Sequence, residues 1–316
     1  MPELAPIVLF CYNRPAHTLQ TLQALSENLL ADQSILFVYC DGPKAGADEI
    51  QQGKIEEVRR IVKSRKWCGE VQVVECESNR GLANSVIEGV TEVLNKYGRI
   101  IVLEDDLVTS RYFLEYMNTA LEKYRHDEKV MQVSAHQFPV QQWERKQEAF
   151  FLPFTTSWGW GTWKRAWDCF DVNASRFKEL EMNAEMKSEF DLNNSVRYSE
   201  MLKIQMTCTE IDSWAIRWWF SVFLHKGFVL FPDGPLVNNI GFGAEATHTT
   251  QNVFADAEFK IDYRILNFPS EKSIDQKKYD SVCNYLKIKS GVLNVTARPK
   301  KSFFQRILSV IAKDKH

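Results

Sequence analysis

The chain has 316 residues, 45% of them hydrophobic, enough to bury a large core in one big α/β domain or two smaller ones. A formal net charge of -2 excludes the global positive field that recruits nucleic acid. Seven cysteines without a C-x-x-C pair argue against a zinc site or a disulfide framework and predict a reducing compartment.

The elements follow in chain order. Pro6 to Tyr12 reads as a buried strand. Ala16 to Leu29 reads as an amphipathic helix with Leu19, Leu22, Leu25 and Leu29 on one stripe, and Ser34 to Cys40 as the next strand. Ile50 to Lys63 is predicted helical, Val71 to Glu75 a strand, Leu82 to Tyr97 a helix and Ile100 to Leu103 a fourth strand, followed by a helix from Tyr112 to Tyr124. Strands this apolar, separated by helices, predict a parallel sheet covered on both faces with right-handed crossovers. Beyond Tyr124 the pattern changes. Val130 to Ala135 and Val229 to Phe231 read as strands, Thr156 to Trp167 is rich in aromatics, and Asp212 to His225 reads as an apolar helix that starts at an acid. No linker composition separates the two halves. The expected division is therefore 1–125 and 126–250 as halves of one domain, with 251–316 as a C-terminal extension. Met1 to Arg14 lacks a charged n-region and no run of about 18 apolar residues occurs, so the sequence predicts a cytoplasmic protein.

In parallel sheets ligands bind beyond the carboxyl ends of the strands. Those ends carry Cys11-Tyr12-Asn13-Arg14-Pro15, Asp41-Gly42-Pro43, Ser78-Asn79-Arg80-Gly81 and Glu104-Asp105-Asp106. No G-x-G-x-x-G or Walker motif is present. The triplet of acids after Ile100-Ile101-Val102-Leu103 matters most, because an apolar strand that delivers clustered carboxylates to a sheet rim makes a seat for a hard divalent cation and its phosphate partner. The competing reading is a solvated turn that caps the following helix.

These loops in this order resemble the GT-A glycosyltransferases that use nucleotide sugars, and in particular the N-acetylglucosaminyltransferase I type and bacterial family 2-like enzymes. The resemblance spans about residues 5 to 250 and is strongest from Glu75 to Ala135, through Val102-Leu103-Glu104-Asp105-Asp106-Leu107, Phe113-Leu114-Glu115-Tyr116 and Val133-Ser134-Ala135. It implies a Rossmann-like, mostly parallel sheet flanked by helices, with a C-terminal helical extension. It further implies a metal-dependent inverting transfer from a nucleotide sugar, most simply a UDP-sugar, to a glycan or lipid-linked glycan. On the residues, the resemblance gives Arg14 to the ribose or phosphate, Asp41 to the uracil edge, Glu104 to the donor sugar, Asp105 to the ribose region and Asp106 to Mn²⁺ or Mg²⁺. Asp212, before Ser213-Trp214, matches the family's catalytic base. Bacterial relatives of this kind assemble surface polysaccharide.

Several positions keep two readings at this level. Asp212 is a base tuned by Trp214 and Trp218, or a helix cap, with Glu210 as a competing base. Arg80 reaches diphosphate, or merely follows Asn79 as helix cap. His248 is a late metal ligand or a surface histidine. Trp158 and Trp160 form a sugar-stacking floor or belong to a twisted core strand. The tail from Arg298 to His316, with Phe303, Phe304, Ile307, Leu308, Val310 and Ile311 among lysines and arginines, binds an anionic membrane face peripherally or docks on its own domain. A sugar-nucleotide-forming nucleotidyltransferase and a non-catalytic carbohydrate-binding protein on this fold are the alternative functions.

Overall fold

The computed structural model describes residues 3–140, 143–207, 212–241 and 258–289. Its first half is the expected alternation: β1 (Ile7–Cys11), α1 (Pro15–Ser26), β2 (Ile35–Cys40), α2 (Glu49–Lys63), β3 (Glu70–Glu75), α3 (Leu82–Tyr97) and β4 (Arg99–Glu104). The helix ends carry their own chemistry. Asp48 caps α2 by accepting from Gln51 N at 2.7 Å, and Gly98 closes α3 at φ +75, donating to Leu94 O at 2.8 Å. Helix α1 stops at Ser26, so Leu29 falls outside its stripe and is exposed.

The second half adds β5 (Leu107–Thr109), α4 (Phe113–Lys123), β6 (Val130–Ser134), β7 (Ala149–Leu152), β8 (Trp160–Trp163) and α5 (Lys164–Trp167). It continues with α6 (Phe177–Met182), α7 (Ala184–Phe190), α8 (Tyr198–Thr207), α9 (Trp214–Leu224), β9 (Phe228–Pro232), β10 (Val237–Asn239) and α10 (Gln276–Lys289). Eight strands form one sheet in the order β3-β2-β1-β4-β8-β6-β9-β7. The pairs β1·β2, β1·β4, β2·β3 and β6·β9 are parallel, while β8 runs antiparallel to both neighbours and β7 antiparallel to β9. The sheet is thus mixed but mostly parallel, and it crosses residue 125 without a break because β8 is inserted between β4 and β6.

Alternation along the strands splits the core between two faces. Val8, Phe10 and Val102 pack with α3 and α9, whereas Ile7, Leu9, Ile101 and Leu103 pack with α1, α2 and α4. Residues 258–289 are laced to this body: Phe151 bridges Ile274, the Tyr124 hydroxyl donates to Pro269 O at 2.7 Å, and Lys278 meets Glu148 at 2.9 Å. Among the described residues no helix is long and apolar enough to cross a membrane.

Candidate active site at the acidic rim

Strand β4 ends at Glu104, Asp105 and Asp106 make a tight turn, and the chain leaves as β5. The acids therefore belong to a strand-turn-strand corner and cap no helix; α4 starts later, after Tyr112. Strand β10 holds the corner from above, pairing Asn239 with Leu107 while Ile240 N donates to Asp106 O at 2.8 Å. The Thr21 hydroxyl fixes it from below by donating to Asp105 O at 2.9 Å. Gly241 lies so close to Asp106 that a Cβ there would collide with Oδ2. The chain can pass this close to the carboxylate because the residue there has no side chain.

Arg14 comes to these acids from the end of β1. Pro15 at the first position of α1 presets the helical φ, and Thr18 ties Arg14 O through its backbone N–H and its hydroxyl, both at 2.9 Å. The guanidinium is split between two carboxylates: Nη1 donates to Asp106 Oδ2 at 3.0 Å and Nη2 to Asp105 Oδ1. The side chains of Asp105 and Asp106 are only 4% and 12% exposed. Burial, then the neighbouring Asp106 charge, pushes the Glu104 carboxyl up to about 8, against the pull of Arg14. Burial also raises Asp105, again opposed by Arg14.

Asp41, at the end of β2, is wholly engaged by its own rim. Oδ1 accepts from Gly42 N at 2.8 Å and Arg80 N at 2.9 Å; Oδ2 accepts from Asn79 Nδ2 at 2.9 Å and Gly81 N at 3.1 Å. Four donors on two oxygens make Asp41 the organiser of the 78–81 loop. Asn79 therefore serves Asp41 and not α3, whose first residue follows Gly81 without a side-chain cap. The Arg80 side chain lies outward in an ion pair with Glu88 at 2.5 Å. Beside this loop opens a cavity of about 200 Å³ lined by Tyr39, Asp41, Cys76, Arg80, Ser85 and Glu88 among others.

The aromatic segment divides. Gly159 at φ +63 turns the chain so that Trp158 stays at the rim, partly exposed and edge-on to His136 with ring centres 4.7 Å apart. Trp160 corrects the expectation of a sugar floor: it is fully buried in β8, stacked on Trp214 at 5.1 Å and tilted against Trp167 at 5.8 Å. An indole sealed in this way has no face left for a sugar. Its role is architectural, because Trp160 pairs in register with Val102 of β4, and its stack with Trp214 ties the start of α9 to β8.

Asp212 precedes α9 but does not cap it; Ser213 Oγ accepts from Ile216 N at 3.4 Å. Nor do Trp214 and Trp218 desolvate it. Both indoles are buried, Trp218 donating to Gln132 Oε1 at 2.7 Å, while the Asp212 side chain is 55% exposed and ion-paired to Arg217 at 2.6 Å. His248, Glu210 and the tail 298–316 lie outside the described residues. Sequence reasoning missed Asn79 as the partner of Asp41, Gly241 beside Asp106, and His136 behind Trp158. Only the glycine had a readable signal, in the Gly241-Phe242-Gly243 loop.

A mostly parallel sheet with an acidic corner at the end of its fourth strand, an arginine from the first loop upon it and an ordered second-strand loop beside it defines the GT-A class. The family model for glycosyl transferase family 2 matches residues 7–182; the chain belongs to that family, whose members transfer glycosyl groups. Among solved structures, mouse xyloside xylosyltransferase 1 in its apo form is similar at 10% identity, over 70% of this chain and 81% of that one, with a TM-score of 0.35. TarS residues 1–349 from S. aureus are similar at 9% identity, over 98% of this chain and 78% of that one, with a TM-score of 0.41. No curated protein matches this chain.

Proposed function

We propose that this glycosyltransferase is a metal-dependent inverting enzyme that moves a hexosyl or N-acetylhexosaminyl group from a UDP-sugar to a glycan or lipid-linked glycan. The observation that carries the reading is the shared arginine: Arg14 lies on both Asp105 and Asp106 at the mouth of the β1 and β4 loops. The donors suit a hard cation such as Mn²⁺ or Mg²⁺, since they are clustered carboxylate oxygens carried on the turn that ends β4. Among the described residues no three His, Cys, Asp or Glu side chains converge into a closed cage, so phosphate oxygens and water would complete the shell, with His248 as an additional ligand. Bound there, the cation supplies Lewis-acid stabilisation of the departing diphosphate.

The chain's own groups supply the rest. Asp106 is the cation's carboxylate, Arg14 meets the diphosphate, and Asp105 borders the ribose. The cavity beside Asp41 is the place for the base. With all four of its acceptor positions used, Asp41 acts by holding the Arg80 and Gly81 amides in place, and Arg80 swings from Glu88 toward phosphate. Glu104 faces the donor sugar and Trp158 offers it an aromatic face. Asp212 takes the acceptor's hydroxyl proton from the opposite side, its position held by Arg217. The tail 298–316 brings the enzyme to an anionic membrane face that carries the acceptor. Incubation with UDP-, GDP- and CMP-sugars, with and without Mn²⁺, tests this. Mn²⁺-dependent hydrolysis confined to a UDP-sugar is expected, and metal-indifferent turnover or a GDP- or CMP-sugar preference overturns it.

A further inference from the structure

We infer that Arg14 is the resident counter-cation of the acidic corner, occupying the Asp106 oxygen that a divalent cation takes, and that yielding this oxygen couples metal uptake to nucleotide uptake. The inference rests on the cation reading above and goes beyond it, from which residues hold the donor to how the acidic corner keeps itself assembled and what binding must displace.

Three observations carry it. The fork is divided, one nitrogen to each acid, instead of clasping a single carboxylate with both. A divided fork can release one acid while keeping the other. The two acids differ in depth, Asp105 being 4% and Asp106 12% exposed, so the inner contact is the anchor and the outer one is the contact open to exchange. Finally, the backbone beneath is fixed by Pro15 at the helix start and by both Thr18 donors to Arg14 O, so exchange involves the side chain alone.

Occupancy of one oxygen by two cations is self-limiting. A divalent cation binds a carboxylate oxygen at about 2.1 Å, and Nη1 sits 3.0 Å from Asp106 Oδ2, so both together bring like charges within about 5 Å in a poorly solvated corner. The metal by itself is therefore opposed. A diphosphate resolves the conflict, since it offers Arg14 new acceptor oxygens and adds negative charge beside the cation. Metal and nucleotide then assist each other, and linkage makes the assistance reciprocal. Without Arg14 the clustered buried acids would lose the main positive charge beside them, which gives the corner a reason to hold a cation before the donor arrives.

Mn²⁺ binding to the full chain, followed by the electron paramagnetic resonance of the unbound ion with and without UDP, tests the inference. The wild type is expected to bind Mn²⁺ alone weakly and at least about tenfold more tightly with UDP, a coupling of about 1.4 kcal/mol. Arg14→Gln is expected to bind Mn²⁺ alone about tenfold more tightly than wild type and to gain little from UDP. Arg14→Lys keeps a cation against the acids if the glutamine variant fails to fold, and as a single point charge it is expected to fall between the two. If neither variant binds Mn²⁺ alone more tightly than wild type while wild type still binds it with UDP, the counter-cation role is wrong and the cation reading survives. If no form binds Mn²⁺ under either condition, the cation reading itself fails and this inference with it.

Discussion

Asp212 is held in solvent by an ion pair to Arg217, 2.6 Å away, an arrangement that fixes the carboxylate's direction. If it removes the acceptor proton, Asp212→Asn loses transfer by about 10²-fold or more and leaves UDP affinity unchanged. Steady-state rates beside a UDP titration check this, and retained turnover removes Asp212 from the chemistry. His136 makes a different prediction at the same scale. Burial pushes its imidazole down to about 3 from the ordinary 6.5, so the folded protein refuses a proton that the unfolded chain accepts. Stability is then intact above pH 6.5 and drains away as pH falls toward 3, by about 2–3 kcal/mol on reaching pH 4.5. His136→Phe keeps a ring against Phe138 and Trp158 and removes the proton site, so its melting temperature should fall less between pH 7 and 4.5 than that of wild type. Equal falls would show that His136 contributes nothing to acid sensitivity.

Among elements, the joint between β8, β10 and α9 has the least tolerance. Gly159 holds φ +63 at the entry to β8, and a Cβ there would come within 2.8 Å of Val237 Cγ1 on β10. Gly159→Ala thus carries a left-handed backbone penalty of about 1–2 kcal/mol and pushes on the strand that braces Asp106. Urea unfolding should show a loss of about 2 kcal/mol or more, and a variant as stable as wild type would mean the joint yields. Such joints explain which elements could be read from sequence. The runs Ile7–Cys11, Ile35–Cys40 and Arg99–Glu104 are apolar because the sheet is covered on both faces there, and their loops fall on the rim by topology alone, so Arg14, Asp41 and the acidic triplet were legible. Strand β7 and helices α6 to α8 were not. They are short, and their apolar residues answer to tertiary neighbours more than to a local period. Trp160 misled for the same reason: alternation with glycine suits a ligand platform and a tightly packed inner strand equally, and only the partners Trp214 and Trp167 decide. The setting of Asp212 is not legible in sequence, because an ion pair five positions along the chain competes invisibly with desolvation by the adjacent indoles.

On the scale of the whole molecule, strands from both sides of residue 125 share one sheet, and residues 258–289 bind it through Arg264 to Glu115 and Lys278 to Glu148. A body knit this way should melt in a single calorimetric transition with matching van't Hoff and calorimetric enthalpies; two resolved transitions would reveal halves that fold apart. The same knitting brings the ends of β1, β2 and β4 to one edge, where first-loop arginine, second-strand acid and acidic corner form a continuous rim. Calorimetric titration of UDP into wild type and Asp106→Asn, each with and without Mn²⁺, tests whether that rim seats a cation and a diphosphate. Mn²⁺-strengthened UDP binding is expected in wild type, dropping at least about tenfold in the variant; binding indifferent to both Mn²⁺ and the substitution would mean that the rim seats neither.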